Sequence, residues 1–301
     1  MADLSAYSET EQLLALCRYS GVTPRMFEAL LRQFHTVEGI LQAEEHEIAA
    51  IEGMSAKAAR QVSDSSKKLD DARQYATDLG HREISMVNRF EQHFPELLFE
   101  LNDPPSILYF RGKLPDPTKK TITLIGTSKA TGEGIEMTSR LAREFVSGGV
   151  QVVSSLRGGI DAAAHLACST AGGASYAVVD CGLDHIPQTE GIPLAIDIIK
   201  SGGVIGEFAP DVKADAATVL QTNRLLSSLG QAVVVTEVYK DSMRTLDLLK
   251  SCHEMGKLVF FMIDPEHGAF SDEIALAKAM EHGAIPLEGY ERVGDIINAL
   301  V

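Results

Sequence analysis

The chain has 301 residues, 45% of them hydrophobic, and a formal net charge of −15; its length supports two structural units with sizeable cores, and its charge excludes a protein that coats nucleic acid indiscriminately. No apolar stretch approaches the length of a membrane span, and "MADLSAYSETEQ" has neither the basic start nor the apolar centre of a secretory signal, so a cytoplasmic location and no membrane partner are expected. Cys17, Cys168, Cys181 and Cys252 stand apart with no C-x-x-C pair, which argues against a disulfide framework and against a metal site.

From Thr10 to about Arg60, apolar residues recur at three- and four-residue spacing, with breaks at Gly21, Pro24 and Gly53. Short amphipathic helices are the expected result. The polar stretch "SDSSKKLDDARQ" continues a helix or links to the next unit, and a strand is expected over Ile107 to Phe110, closed by a turn at Gly112. From Lys120 the rhythm becomes strand, glycine-containing turn, helix. The strands read "TITLIGT", "VQVVSS", "SYAVVDCG", "GVIGEF", "QAVVVTEV" and "KLVFFMI", nearly continuous apolar runs as in parallel strands covered on both faces. Helices are expected over Glu133–Ser147, Gly159–Thr170, Leu194–Lys200, Thr218–Leu229 and Thr245–Met255. The fold class that follows is α/β, a doubly wound, mostly parallel sheet behind a small all-α domain, with any ligand site at the carboxyl ends of the strands.

Charge is uneven along the chain, at −7 over residues 1–118, −3 over 119–264 and −5 over 265–301. The near balance of the middle stretch leaves room for a local basic groove. Its first strand runs into "GTSKATGEG", where Gly126, Thr127, Ser128 and Lys129 turn towards a helix and present backbone N–H groups at the positive end of its dipole. The spacing fits neither G-x-G-x-x-G nor G-x-x-x-x-G-K-[ST]. It describes a phosphate-friendly turn, or glycines that only make the turn tight. The second strand ends in "SSLRGGIDAAAHLA", with Arg157, Gly158 and Gly159 at another such turn, Asp161 in the first helical turn and His165 four residues on. Asp161 and His165 could form an acid/base pair; without a nucleophile or a metal, the preferred reading is that Asp161 caps its helix and orients Arg157 while His165 packs beneath the loop. At "TNRLLSS", Asn223 and Arg224 are placed to face the same crevice. Convergence of these turns on one anion-binding crevice is the functional signal.

The succession "FPELLFELNDPPSILYFRGKL", "ITLIGTSKATGEG", "VVSSLRGGIDAAAH", "AVVDCGLDHIPQ" and "TNRLLSSLGQAVVVTEV" resembles the DprA/Smf DNA-processing family over about residues 90–264, most specifically at "GIDAAAH". The first helices resemble its sterile-alpha-motif or helix-hairpin-helix-like unit. The resemblance implies residues 1–80 as a helical domain and 81–301 as a Rossmann-like domain. It further implies a homodimer without cofactor or catalytic residues that binds single-stranded DNA and loads the RecA recombinase onto it during natural transformation. The chain departs from the family pattern at Ser128, where arginine is usual, at "RGGID" in place of "ARGID", at "ATVLQTNR" in place of a basic Phe-Pro stretch, and at "SMRT" in place of a Ser-Gly-Ser turn. Lys129, Arg157 and Arg224 remain as phosphate ligands, with Arg244 as a substitute. With Val301 as its last residue, the chain is expected to do without the winged-helix tail that some relatives carry.

Tyr176, Tyr239 and Phe208 are the aromatics near these turns, and Tyr176 and Phe208 read as core. A phosphoribohydrolase of the LOG type would show Pro-Gly-Gly-x-Gly-Thr-x-x-Glu where this chain has "TEVYKDSMRTLD". Two other readings stay open: a non-catalytic nucleotide sensor of the SLOG type, and an interaction scaffold, which leaves the anion-friendly turns without a purpose.

Overall fold

The computed structural model describes residues 4–188, 191–264, 268–269 and 271–300. The chain divides into two units, Met1–Phe94 with Asn102–Tyr109, and Pro95–Leu101 with Phe110–Val301. In the first, helices α1 (Glu9–Ser20), α2 (Pro24–Phe34), α3 (Val37–Gln42), α4 (Glu45–Ala49), α5 (Ala56–Ser63) and α6 (Leu69–His81) are followed by strand β1 (Ser85–Asn88). Ser8, Thr23, Thr36 and Ser55 each accept a hydrogen bond from the backbone N–H three residues on, satisfying a donor that a helix start leaves open. Gly21 (φ 68°) and Gly53 (φ 82°) turn the chain after α1 and α4 in the left-handed region, which glycine enters without steric cost. Leu13, Leu16, Phe27, Leu30, Ile40 and Ile48 are fully buried.

Strand β2 (Ile107–Gly112) carries the chain into the second unit. There β3 (Thr121–Ile125), α7 (Gly132–Ser147), β4 (Gln151–Ser155), α8 (Ile160–Thr170), β5 (Ser175–Val178), α9 (Gly191–Ile198), β6 (Gly203–Gly206), α10 (Ala216–Leu229), β7 (Ala232–Val235), α11 (Met243–Glu254) and β8 (Leu258–Asp264) alternate as the sequence predicts. The order β6-β5-β4-β3-β7-β8 is parallel at every step. The chain thus winds one way from β3 to β6 and returns to lay β7 against the other side of β3. That reversal opens a crevice outside the carboxyl ends of β3 and its neighbours. Ile122, Leu124, Leu141, Phe145, Val152, Val234 and Met262 form a core against one face of the sheet with no exposed surface among them.

Beyond residue 264 the structure adds elements that the apolar pattern does not reveal: β9 (Gly268–Ala269), antiparallel to β8, then α12 (Glu273–Glu281), β10 (Ile285–Glu288), parallel to β8, and α13 (Val293–Ala299). β10 holds Pro286 and only Leu287 of its residues is buried, the pattern of a sheet edge rather than a central strand. Among the described residues no helix is long and apolar enough to cross a membrane.

Candidate functional site

The crevice is a cleft of about 220 Å³ whose walls include Gly126–Lys129 after β3, Ser155 at the end of β4 and Arg157 after it, Asp161 on α8, Asn223 on α10, and Asp241–Thr245 at the start of α11. Tight packing of two turns makes it. Gly159 has φ 68°, and a Cβ there would lie 2.4 Å from the Thr127 carbonyl oxygen. Only glycine lets the β4–α8 turn approach the β3–α7 turn so closely. The Ile160 N–H then donates to the Thr127 carbonyl at 3.1 Å and the Thr127 N–H to the Glu237 carbonyl at 2.8 Å.

The helix start that the sequence offers to an anion is already served from within. Thr131 caps α7 through a 3.0 Å bond from the Gly134 N–H, and the Thr131 N–H donates to both oxygens of the fully buried Glu237 carboxylate at 3.2 and 3.0 Å. The Tyr239 hydroxyl donates to the same carboxylate; that bond, burial and the neighbouring negative charge push the phenol up to about 12. A Cβ at Gly134 would meet a Glu237 oxygen at 2.0 Å, so the glycine makes room for this internal anion.

The β4–α8 turn is different. Gly159 heads α8 without a side-chain cap, and Asp161 reaches across instead, accepting from the Gly126 N–H at 3.1 Å and from the Ser155 hydroxyl. Burial lifts its carboxyl to about 6 against the pull of those two bonds and of Arg244 and Arg157. The expected cap and Arg157 orienter is therefore a stitch between β3, β4 and α8. Arg157 is oriented by Asp180, two residues past β5, at 3.0 Å; Arg244 Nη1 donates to the same Asp180 oxygen at 2.6 Å. Burial works against ionisation of Asp180, but Arg244 and Arg157 outweigh it and hold the carboxyl below its ordinary value. Arg244 in turn is drawn down by burial and by the nearby Arg157.

His165 has no exposed surface; Nδ1 lies 2.9 Å from the Ser175 hydroxyl and Nε2 3.1 Å from the Ser155 carbonyl, and burial lowers it to about 4. It joins β4 to β5 beneath the loop as a neutral ring, and it does not pair with Asp161.

Lys129 is 81% exposed at its side chain, 3.6 Å from Asp241. Asn223 lines the cleft, donating from Nδ2 to the Arg244 carbonyl at 3.2 Å, while its buried Oδ1 accepts no hydrogen bond among the described residues. Arg224 corrects the sequence reading: it does not line the cleft and pairs with Glu207 at 2.5 Å, the two side chains only 13% and 5% exposed. Both residues lie inside α10, where neighbours diverge by about 100°, so Asn223 and Arg224 cannot face one crevice together. Among the described residues, the N–H groups of Ser128, Gly158 and Gly159 make no hydrogen bond within the protein. Ser128 lines the cleft beside Lys129, Arg157 and Arg244, whereas Gly158 and Gly159 follow Arg157 in the adjoining turn and are not among the cleft's walls. Sequence reasoning missed Asp180 and Glu237; the available signal was an acidic residue two positions beyond each of two apolar strands.

A family model described as DNA recombination-mediator protein A matches residues 85–298, and one described as a SAM-like helix-hairpin-helix tandem matches residues 13–68. Protein Smf of Synechocystis sp. is 26% identical over 299 residues, 94% of this chain and 75% of its own length. The DNA processing protein DprA of Bacillus subtilis is 29% identical over 178 residues, 59% of this chain and 60% of its own. Among solved structures, DprA of Streptococcus pneumoniae has a TM-score of 0.75 at 21% identity, covering 95% of this chain and 97% of that one. DprA of Helicobacter pylori, described for its single-stranded DNA binding mode, has a TM-score of 0.61 at 21% identity, covering 73% of this chain and 98% of that one.

Proposed function

The chain belongs to the DNA recombination-mediator protein A family, and on that premise we propose that its cleft binds the backbone of single-stranded DNA and that the protein, as a homodimer, delivers such strands to the RecA recombinase. In this reading residues 1–80 are the helical domain and residues 81–301 the DNA-binding domain. The observation that carries the proposal is the meeting of Arg157 and Arg244, from separate elements, at the mouth of a cleft with Lys129 and the unbonded N–H group of Ser128, next to the unbonded N–H groups of Gly158 and Gly159 in the adjoining turn. Guanidinium groups and backbone amides suit phosphate oxygens whatever the base, as a mediator of any strand requires. Binding rather than catalysis is supported by Asp161 and His165, the one candidate acid/base pair, whose polar atoms are both committed to internal bonds.

The test is fluorescence anisotropy of a labelled single strand titrated with the protein at low and at physiological salt, with a duplex of equal length as control. Salt-sensitive binding that prefers the single strand is the expected result and would be followed by a RecA-loading assay. No binding to either at low salt would overturn the proposal. A cleft of about 220 Å³ is also of a size for one nucleotide unit, so a nucleoside monophosphate that displaced the strand at micromolar concentration would favour the nucleotide-sensor reading.

A further inference from the structure

Phosphate contacts alone do not distinguish a single strand from a duplex, since both present the same groups. Discrimination needs a surface for bases that a duplex keeps stacked inside. None of Tyr176, Phe208 and Tyr239 is among the residues that line the cleft: Tyr176 is 3% exposed and donates to Gln151 Oε1 at 2.9 Å, Phe208 is half-buried rather than core, and the Tyr239 hydroxyl is bound to Glu237. Of the apolar side chains that line the cleft, Ile125, Leu226 and Leu248 are buried, at 3%, 1% and 2% exposure. Met243 is 58% exposed. It opens α11, next in sequence to Arg244 and one residue past Ser242, at the same mouth as Arg157 and Lys129.

Resting on the single-strand reading of this cleft, we propose that Met243 is its nucleobase contact, the apolar platform on which a base lies while its phosphate is held at the Arg157 and Arg244 side. A thioether is polarizable, unbranched and able to follow the face of any ring, so the contact carries no sequence preference. Its exposure in the free protein leaves apolar area to be covered on binding.

The test compares a thymidine oligonucleotide with an abasic strand of equal length, for the unaltered protein, Met243→Ala and Met243→Phe. Met243 is exposed, so neither substitution disturbs the fold. The expected result is tighter binding of the thymidine strand than of the abasic one, a loss of about threefold to tenfold for Met243→Ala on the thymidine strand alone, recovery in Met243→Phe, and the same salt dependence throughout. Equal losses on both strands, or no loss on either, would overturn the base contact. So would equal binding of both strands by the unaltered protein, although phosphate binding would then stand. Binding of neither strand would overturn the proposed function and this assignment with it.

Discussion

The two strand-to-helix turns that form the cleft are built from similar sequences and end in opposite electrostatic states. At the β3–α7 turn the buried Glu237 carboxylate receives the Thr131 N–H and fills the helix start. At the β4–α8 turn no side chain caps the helix, and the carboxylate that arrives, Asp180, bonds the arginines rather than the backbone. Glycine-rich turns before helices create the capacity to hold an anion. Whether that capacity is spent inside the protein is decided by carboxylates on other strands. Here the helix start of one turn is filled from within, leaving Ser128 and Lys129 as the donors that this turn gives the cleft, and the other turn keeps its donors for a ligand.

Removing the internal anion of the first turn gives the largest expected effect. Glu237→Ala takes from the Thr131 N–H and the Tyr239 hydroxyl the fully buried acceptor that joins them and is expected to lower the unfolding free energy by about 3 kcal/mol, read from urea denaturation. A loss comparable to that of an exposed-site substitution would break the contrast between the turns.

The second turn has its own stability signature in pH. His165 is lowered to about 4 from 6.5, so the stability it contributes is present above the ordinary histidine value and is lost as pH falls through 4. Asp161 is raised to about 6 from 3.8, so its contribution is present below 3.8 and is lost as pH rises through 6. Each shift corresponds to about 3 kcal/mol, and between pH 4 and 6 the two oppose one another. In His165→Gln only the Asp161 titration remains, and the melting temperature is expected to rise as pH falls from 6 to 4, where that of the unaltered protein stays nearly level. Parallel curves for the two proteins would mean that His165 is not held neutral in the core.

Smaller in size is the effect of the carboxylate that the two arginines share. Asp180→Asn removes the negative charge with which a phosphate must compete and is expected to tighten single-strand binding by about threefold at low salt. Weaker binding would show instead that Asp180 acts mainly to position Arg157 and Arg244.

The fold was legible where local chemistry decides it. Near-continuous apolar runs such as "QAVVVTEV" announce parallel strands, and the breaks at Gly21, Pro24 and Gly53 fall between helices or at a helix start. The edge strand β10, short and holding Pro286, carried no such pattern. In the cleft, Arg157, Lys129 and Ser128 were found because a turn's position follows from its strand. Arg224 escapes a sequence reading because its direction depends on the rotation of α10, and its pairing with Glu207 depends on a neighbouring segment. Asp180 and Glu237 acquire their roles only when the order β5-β4-β3-β7 brings them beside turns from other parts of the chain. The sequence offers Arg244 as a substitute ligand, and its place at the mouth comes from α11 starting beside β3, where the Thr245 hydroxyl donates to the Gly126 carbonyl at 3.1 Å.

The central claim is that Arg157 and Arg244 of this cleft hold the phosphates of a single strand, and it is tested most directly by the salt dependence of binding in the double variant Arg157→Ala/Arg244→Ala, beside Arg224→Ala at a temperature where all three proteins are folded. The account predicts a loss of at least about tenfold in affinity for the double variant, with a log–log salt slope shallower by about 0.7 for each phosphate contact removed, and an unchanged slope for Arg224→Ala. An unchanged affinity and slope in the double variant, or a flattened slope in Arg224→Ala alone, would contradict it.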